Sequence, residues 1–400
     1  MSLAKLNNPT YFQNRVALLD ILRGFAITGI LYTNILFFSG YEFMPSSQLS
    51  RFPSYETTLF AAIDFIFISK FYTLFATLFG VGFYILMQKY SNKLEFANVY
   101  KRRMFVLLLI GIIHSLLIWN GDILMLYALL GFILLTLKSS KIKPLLKISF
   151  FLLTFFVLID IVLILFIPAQ ASVKTIAADP AHIDYPDMTG DQVLQSFQSN
   201  NFLDFFKINL HNLIWKWIAY IPTLRPLTVL GLFILGYYLA AKSFFEKAIY
   251  NLTLLITSLV VGVFSAIISN NLGGSSFQFP PTLSNTIYKL LDLISQIGLC
   301  LFYITAIAQI YKKNIGLKLF SFLIPAGKMT LTCYLLQSIF SVLIFKCTGL
   351  YGKLSLSQDM FIATGINLGI IFIAHFWIAK YKTGPVEKLW RQFYYRKKVV

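Results

Sequence analysis

Apolar runs recur from one end of this chain to the other, at 16–38, 58–88, 104–119, 122–137, 148–168, 226–241, 249–269, 287–311, 328–346 and 360–380. Inside lipid only helices and closed barrels satisfy every backbone hydrogen bond, and a spanning helix needs about 20 apolar residues. The expected fold is therefore all-α, a polytopic transmembrane helical bundle of about ten spans. Charged residues are 12% of the chain, against about 25% in a soluble domain. The run 58–88 is too long for one perpendicular span, so it tilts or begins with an interfacial helix. The runs 104–119 and 122–137 are short, and Asn120-Gly121 between them reads as the turn of an antiparallel helical hairpin.

A net charge of +18 raises nucleic acid as a partner, but the distribution of the charge rejects it. Lys101-Arg102-Arg103, Lys138 with Lys141, Lys143 and Lys147, Lys312-Lys313, and Arg396-Lys397-Lys398 stand between apolar runs. That is the positive-inside pattern, which orients helices and anchors them at anionic lipid. Placing these clusters in the cytoplasm puts both termini inside, with about 23 Lys and Arg inside and about 8 outside. Glu42, Glu56, Asp179, Asp184, Asp187, Asp191 and Asp204 then fall outside. Membrane lipid is the first partner implied, and the oligomeric state stays open, a homodimer included. No cleavable leader pattern precedes the first run, so the N-terminus is expected to be retained.

Three parts follow: an N-terminal membrane bundle, 1–168, with most of the intramembrane polar residues; a long extracytoplasmic loop, 169–225; and a C-terminal membrane bundle, 226–400, with a basic cytoplasmic tail. The loop looks irregular over 177–187, then mixes apolar and polar residues at helical spacing from Val193 to Tyr220. That second part reads as an interfacial amphipathic helix, or as a lid over an outward-facing pocket.

Ionisable residues inside a membrane are costly and tend to be functional. Asp20 and Arg23 lie at i,i+3 on one helix face and can pair; Arg23 either snorkels outward or binds a phosphate or carboxylate, and Gly24 beside it admits a close neighbour. Asp64 and Lys70 are expected to point into the bundle, on different faces, with Thr73 and Thr77 sharing the Lys70 face. His114, with an ordinary pKa near 6.5, suits a general base or a structural interhelical hydrogen bond. Its depth-matched neighbour in an ideal hairpin is Tyr127. Asp122 falls near the turn, roughly 10 Å away along the axis, so contact with His114 needs a kink, a rotation or a water. Asp122 also suits plain helix capping. Asp160 is alone in its run, while Arg225 and Lys328 flank runs where they bind anions or anchor helices. Cys300, Cys333 and Cys347 lack paired spacing, so neither a disulfide framework nor a metal site is implied. No phosphate-binding loop, nucleophile elbow, zincin motif or dinucleotide glycine pattern occurs.

Five ordered segments carry a resemblance. They are Arg15 to Leu31 with Asn34, Phe71 to Phe83, the hairpin with His114, Gly121-Asp-Ile-Leu124 and Tyr127-Ala-Leu-Leu-Gly131, Gly327 to Ser338, and Gly384-Pro-Val-Glu-Lys-Leu-Trp-Arg391. Together they resemble the YeiB-like bacterial membrane proteins, domain of unknown function 418. The N-terminal half is also similar to the membrane acetyltransferases that modify the terminal glucosamine of heparan sulfate. The resemblance implies a bacterial inner-membrane acyltransferase. It would move an acyl group from cytoplasmic acyl-CoA, its donor substrate, to an envelope glycan, lipid or small metabolite. Those acetyltransferases carry their proposed histidine in the loop after the first span, whereas Ser39 to Thr57 here contains none. The base then falls to His114, assisted by Asp122. Asp20, Arg23, Asp64, Lys70, Tyr127, Arg225 and Lys328 are left as candidate binding residues. Lys328 and Cys333 depart from the family's usual Arg and Asn, so the two-pronged contact of an arginine is not available at 328. A transporter using the intramembrane polar residues as a substrate or proton path is the rival reading.

Overall fold

The computed structural model describes residues 9–90, 92–167, 188–199, 201–248, 250–274, 278–312 and 319–394. The irregular stretch 177–187 with Asp179, Asp184 and Asp187, Lys313, and the basic tail 396–398 lie outside the described residues. Among those described there are helices and no strands. The principal ones are α1 (Pro9–Phe38), α2 (Tyr55–Ile66), α3 (Lys70–Lys89), α4 (Lys93–Leu117), α5 (Leu124–Thr136) and α6 (Ile142–Phe166). Next come α7 (Gly190–Gln198), α8 (Phe202–Thr223), α9 (Arg225–Ala241), α10 (Leu252–Leu272) and α11 (Leu283–Lys312). The chain closes with α12 (Leu323–Lys328), α13 (Thr330–Phe345), α14 (Leu356–Tyr381) and α15 (Pro385–Tyr394).

The outer surface is what lipid requires. In the most apolar stretches of α6 and α10 only 17% and 22% of residues are buried by protein, leaving Phe150, Phe166 and Phe264 facing outward. Side chains of that size, exposed along whole helices, need a hydrocarbon solvent. The buried stripe of α10 is Ser258, Gly262, Ser265 and Ser269, small residues that let it lie close against α11. Six helical stretches are long and apolar enough to span on their own, among the described residues, and α8 with α9 makes a seventh if a 73° bend between them is one broken span. The apolar helices α5 and α13 are shorter.

Two expectations about local shape are refined. The run 58–88 is broken, with Phe67 to Ser69 between α2 and α3 and Ser69 at a left-handed φ of 66°. The stretch 193–220 becomes two helices, of which α8 runs on through the bend, at Leu224 with φ 50°, into α9. Residues from both ends of the chain interlock. Gly80 of α3 and Gly236 of α9 sit against the partner helix's backbone, where a Cβ would collide with the Phe233 and Thr77 carbonyls. Likewise Gly24 of α1 rests on the Leu323 carbonyl and Gly327 of α12 on that of Asp20. The close neighbour that Gly24 admits is therefore a helix.

The α4–α5 hairpin departs from its ideal register. His114 is matched with Asp122, not with Tyr127. The reason is that α4 ends at Leu117 and the chain folds back through Ile118 to Ile123, with both Ile118 and Trp119 N–H groups bonded to the His114 carbonyl. Gly111 makes this possible: a Cβ there would lie 2.6 Å from the Met125 nitrogen and 3.1 Å from Asp122 Oδ2.

Candidate functional site

A cavity of about 1450 Å³ lies within the bundle, larger than the roughly 300–1,000 Å³ of an ordinary small-molecule site. One end is basic. Arg23, Lys328, Arg103 and Arg391 line it together with Glu387 and Trp390. The reciprocal glycine contacts of α1 and α12 bring Arg23 and Lys328 to this end, and Arg23 is tethered to Asp20 at 3.4 Å. Asp20 itself is buried behind the wall.

Glu387 holds this end together. Its Oε1 accepts from the Leu331 and Thr332 N–H groups at 2.8 and 3.1 Å, and its Oε2 from the Thr332 hydroxyl at 2.5 Å. A carboxylate thus caps α13, satisfying free N–H groups and the helix dipole. The next turn of α15 places Trp390, whose indole N–H donates to the Arg103 carbonyl at 2.9 Å while the Arg103 guanidinium covers its ring at 4.3 Å.

The far end is built around the hairpin turn. His114 Nδ1 lies 2.9 Å from Asp122 Oδ1, both side chains being almost fully buried. Asp122 also caps α5 through Oδ2, which accepts from the Met125 N–H at 3.0 Å. Pairing and capping coexist, one oxygen each. Tyr334 of α13 donates its hydroxyl to Asp122 Oδ1 at 3.4 Å. Tyr334 and Trp119 line the cavity, whereas His114 and Asp122 do not. His114 Nε2 is buried without a hydrogen-bond partner. Across the turn, Lys216 of α8 donates to the carbonyls of Asn120, at 3.0 Å, and Asp122, and the Asn120 N–H donates to Asn209 Oδ1 at 3.3 Å. Helix α8 therefore clamps the turn from above.

Between the two ends Tyr72, Phe75, Phe79, Tyr127 and Arg225 line the wall. On a side branch Lys289 pairs with Asp160 at 2.5 Å, and Thr286 adds a hydrogen bond of 2.9 Å. This is the partner that Asp160 lacks in its own helix.

Of the sequence candidates, Arg23, Lys328, Tyr127 and Arg225 meet at one cavity. Lys70 is buried but off its wall: its Nζ donates to the Asp64 main-chain carbonyl at 3.0 Å, and its face-mate Thr73 reaches Gln296 at 3.5 Å. The Asp64 carboxylate does not point into the bundle. It is exposed, because the break after α2 leaves that helix largely uncovered. Tyr334, Glu387 and Lys216 were not singled out by sequence; Tyr334 and Glu387 do fall inside the two C-terminal segments that carried the resemblance.

The family described as "Protein of unknown function (DUF418)" matches residues 238–397, which span α13 and α15 with Tyr334 and Glu387. Uncharacterized protein YxaH of Bacillus subtilis (strain 168) is 30% identical over 410 residues, covering 97% of this chain and 96% of the relative. An uncharacterized 39.9 kDa protein of Bacillus acidopullulyticus is 25% identical over 98% of this chain and 97% of its own length. Uncharacterized protein YeiB of Escherichia coli (strain K12) is 37% identical over 117 residues, 29% of each chain. No solved structure matches. With YxaH 30% identical along nearly its whole length, and the domain match over residues 238–397, the chain belongs to the YeiB-like DUF418 family.

Proposed function

We propose that this protein is a ten-span acyltransferase of a bacterial inner membrane, with both termini in the cytoplasm. It moves an acyl group from cytoplasmic acyl-CoA to a glycan, lipid or small-molecule acceptor reached from outside. The observation that carries this reading is one cavity joining a basic mouth to a buried Tyr334–Asp122–His114 cluster. Arg23, Lys328 and Arg391 hold the phosphates of the donor at the mouth. Tyr334 is the member of the cluster that touches both the cavity and the carboxylate. The acceptor oxygen or nitrogen attacks the thioester carbonyl carbon, and its new bond to carbon forms as the C–S bond breaks. The acceptor's proton passes to the Tyr334 oxygen while the Tyr334 proton goes to the Asp122–His114 pair. The pair then returns that proton to Tyr334 as Tyr334, at the cavity wall, gives one to the departing CoA thiolate, which balances the step.

The test uses purified protein in nanodiscs with labelled acetyl-CoA and a panel of hydroxyl and amine acceptors, read as free CoA thiol. Tyr334→Phe and His114→Ala each lower turnover by about 10²–10⁴-fold with CoA binding retained. Failure of wild-type protein to bind CoA or release thiol with any acceptor overturns the reading. The 73° bend between α8 and α9 favours a transporter as second reading, since broken helices mark many transport sites. Substrate-dependent proton flux in liposomes, without thiol release, would select it.

A further inference from the structure

The bend at Leu224 has a chemical consequence. It ends α8 and starts α9 at the cavity wall, so the positive end of a 17-residue helix faces the cavity. Its first residue, Arg225, lines that space, as does Thr228 one turn on. The main-chain N–H groups of Leu227 and Thr228 are already bonded to the Leu224 carbonyl, so side chains must supply the donors. The Arg225 guanidinium lies over the Tyr72 ring at 4.9 Å. Stacking of this kind holds the guanidinium at the cavity wall, where its fixed charge faces whatever enters. Tyr127 is near it. It is 1% exposed, its hydroxyl has no hydrogen-bond partner, it lines the same cavity, and it lies within electrostatic reach of Arg225. A buried hydroxyl without a partner is expensive unless a ligand completes it.

We infer that Arg225, Tyr127 and the start of α9 form an anion site in the middle of the cavity, for a singly charged phosphodiester or carboxylate. It is separate from the basic mouth. Arg23 approaches Gly82 of α3, where an added Cβ would stand 3.5 Å from its Nη2. Tyr72 lies ten residues earlier on the same helix, about 15 Å away at 1.5 Å per residue. A polyphosphate suits the several cations of the mouth; one guanidinium and one neutral hydroxyl suit a single charge. Phe75 and Phe79 beside them add apolar walls that fit a lipid chain. Assigning this anion to the acceptor rests on the acyl-transfer reading, whereas the anion site itself does not.

The experiment measures the Tm of the full chain in non-ionic detergent against three probes: dihexanoyl phosphatidylglycerol, its phosphatidylcholine counterpart and inorganic phosphate. Phosphatidylglycerol raises the Tm saturably, and phosphatidylcholine does so more weakly. Arg225→Gln weakens the apparent Kd by about 30-fold or more, as loss of a buried charged contact implies, and Tyr127→Phe by about 10-fold. Lys143→Gln, exposed and away from the cavity, keeps the wild-type response. A response to inorganic phosphate that needs Arg225, without one to phosphatidylglycerol, supports the anion site and makes its ligand a soluble anion. Should Arg225→Gln fail to fold, Tyr127→Phe and Arg225→Lys carry the same test. An unchanged phosphatidylglycerol response in Tyr127→Phe and in either Arg225 variant overturns the inference. CoA binding is measured in parallel: its absence from the wild type removes the acyl-transfer reading and leaves the anion site standing.

Discussion

Replacing Glu387 by alanine takes the acceptor away from three donors at once, the N–H groups of Leu331 and Thr332 and the Thr332 hydroxyl. A hydrogen bond to a charged group contributes about 1.5–3 kcal/mol, so three sum to about 4.5–9 kcal/mol before any relaxation. Two things reduce that sum. Glu387 lines the cavity, so water can reach some of the freed donors, and contributions of neighbouring bonds do not add. A net loss of about 3–5 kcal/mol is expected for Glu387→Ala. Glu387→Gln keeps one carbonyl oxygen for the two N–H groups and loses the charge that suits the start of α13, which costs about 1–2 kcal/mol. Because α15 also carries Trp390 over Arg103, CoA affinity is expected, under the acyl-transfer proposal, to fall in step with stability. Denaturant titration in mixed micelles, followed by tryptophan fluorescence, measures the first effect, and equilibrium CoA binding the second. An alanine variant within about 1 kcal/mol of wild type, or a glutamine variant as unstable as alanine, would refute the capping argument.

Four further outcomes are expected. Asp122→Asn keeps an acceptor for the Met125 N–H but loses the charge beside His114, so turnover falls by about 10²-fold with little change in stability; normal turnover would leave Asp122 a cap only. Gly111→Ala forces a Cβ against Met125 and Asp122 and costs about 1–3 kcal/mol, with turnover lost although no polar group is removed; unfolding curves that superpose on wild type would contradict the packing account. Asp160→Leu and Lys289→Met each destabilise, but the double variant recovers about 1–3 kcal/mol of the summed loss; strict additivity in that cycle would deny the ion pair. A cysteine at Gln195 is labelled from outside by a membrane-impermeant maleimide while a tag at either terminus stays protected, and the opposite pattern would invert the proposed topology.

The membrane class was legible because lipid leaves a chain few options, and ten apolar runs advertise it. What a run does inside the bundle was less so. The excess length of 58–88 pointed to a tilt or an added helix, but nothing in Phe67-Ile68-Ser69 marks a break. Only packing places Ser69 in a left-handed conformation. The stretch 193–220 has the amphipathic pattern of an interfacial helix, yet one face of α8 is occupied by the hairpin turn, through Asn209 and Lys216. An amphipathic pattern says that a helix has two environments, not whether the polar one is water or a neighbouring loop.

The candidate site shows the same division. Charge inside or beside an apolar run is visible at once, and it singled out Arg23, Arg225 and Lys328, which do share a cavity. It also singled out Asp64, whose carboxylate is exposed, because a single charge near a helix end can reach outward as easily as inward. Tyr334 and Glu387 carry no such signal. Their partners lie 212 and 55 to 56 residues away in the chain, and no periodicity within one helix encodes that meeting. The His114–Asp122 pair is the most instructive case. Ideal hairpin geometry, applied to the right residues, places them about 10 Å apart, and the structure joins them at 2.9 Å. The difference comes from the length of the turn and from one missing Cβ at Gly111. In a hairpin this tight, register is decided by where the backbones are allowed to touch, and a glycine facing the partner helix says more about which side chains meet than the spacing of those side chains does.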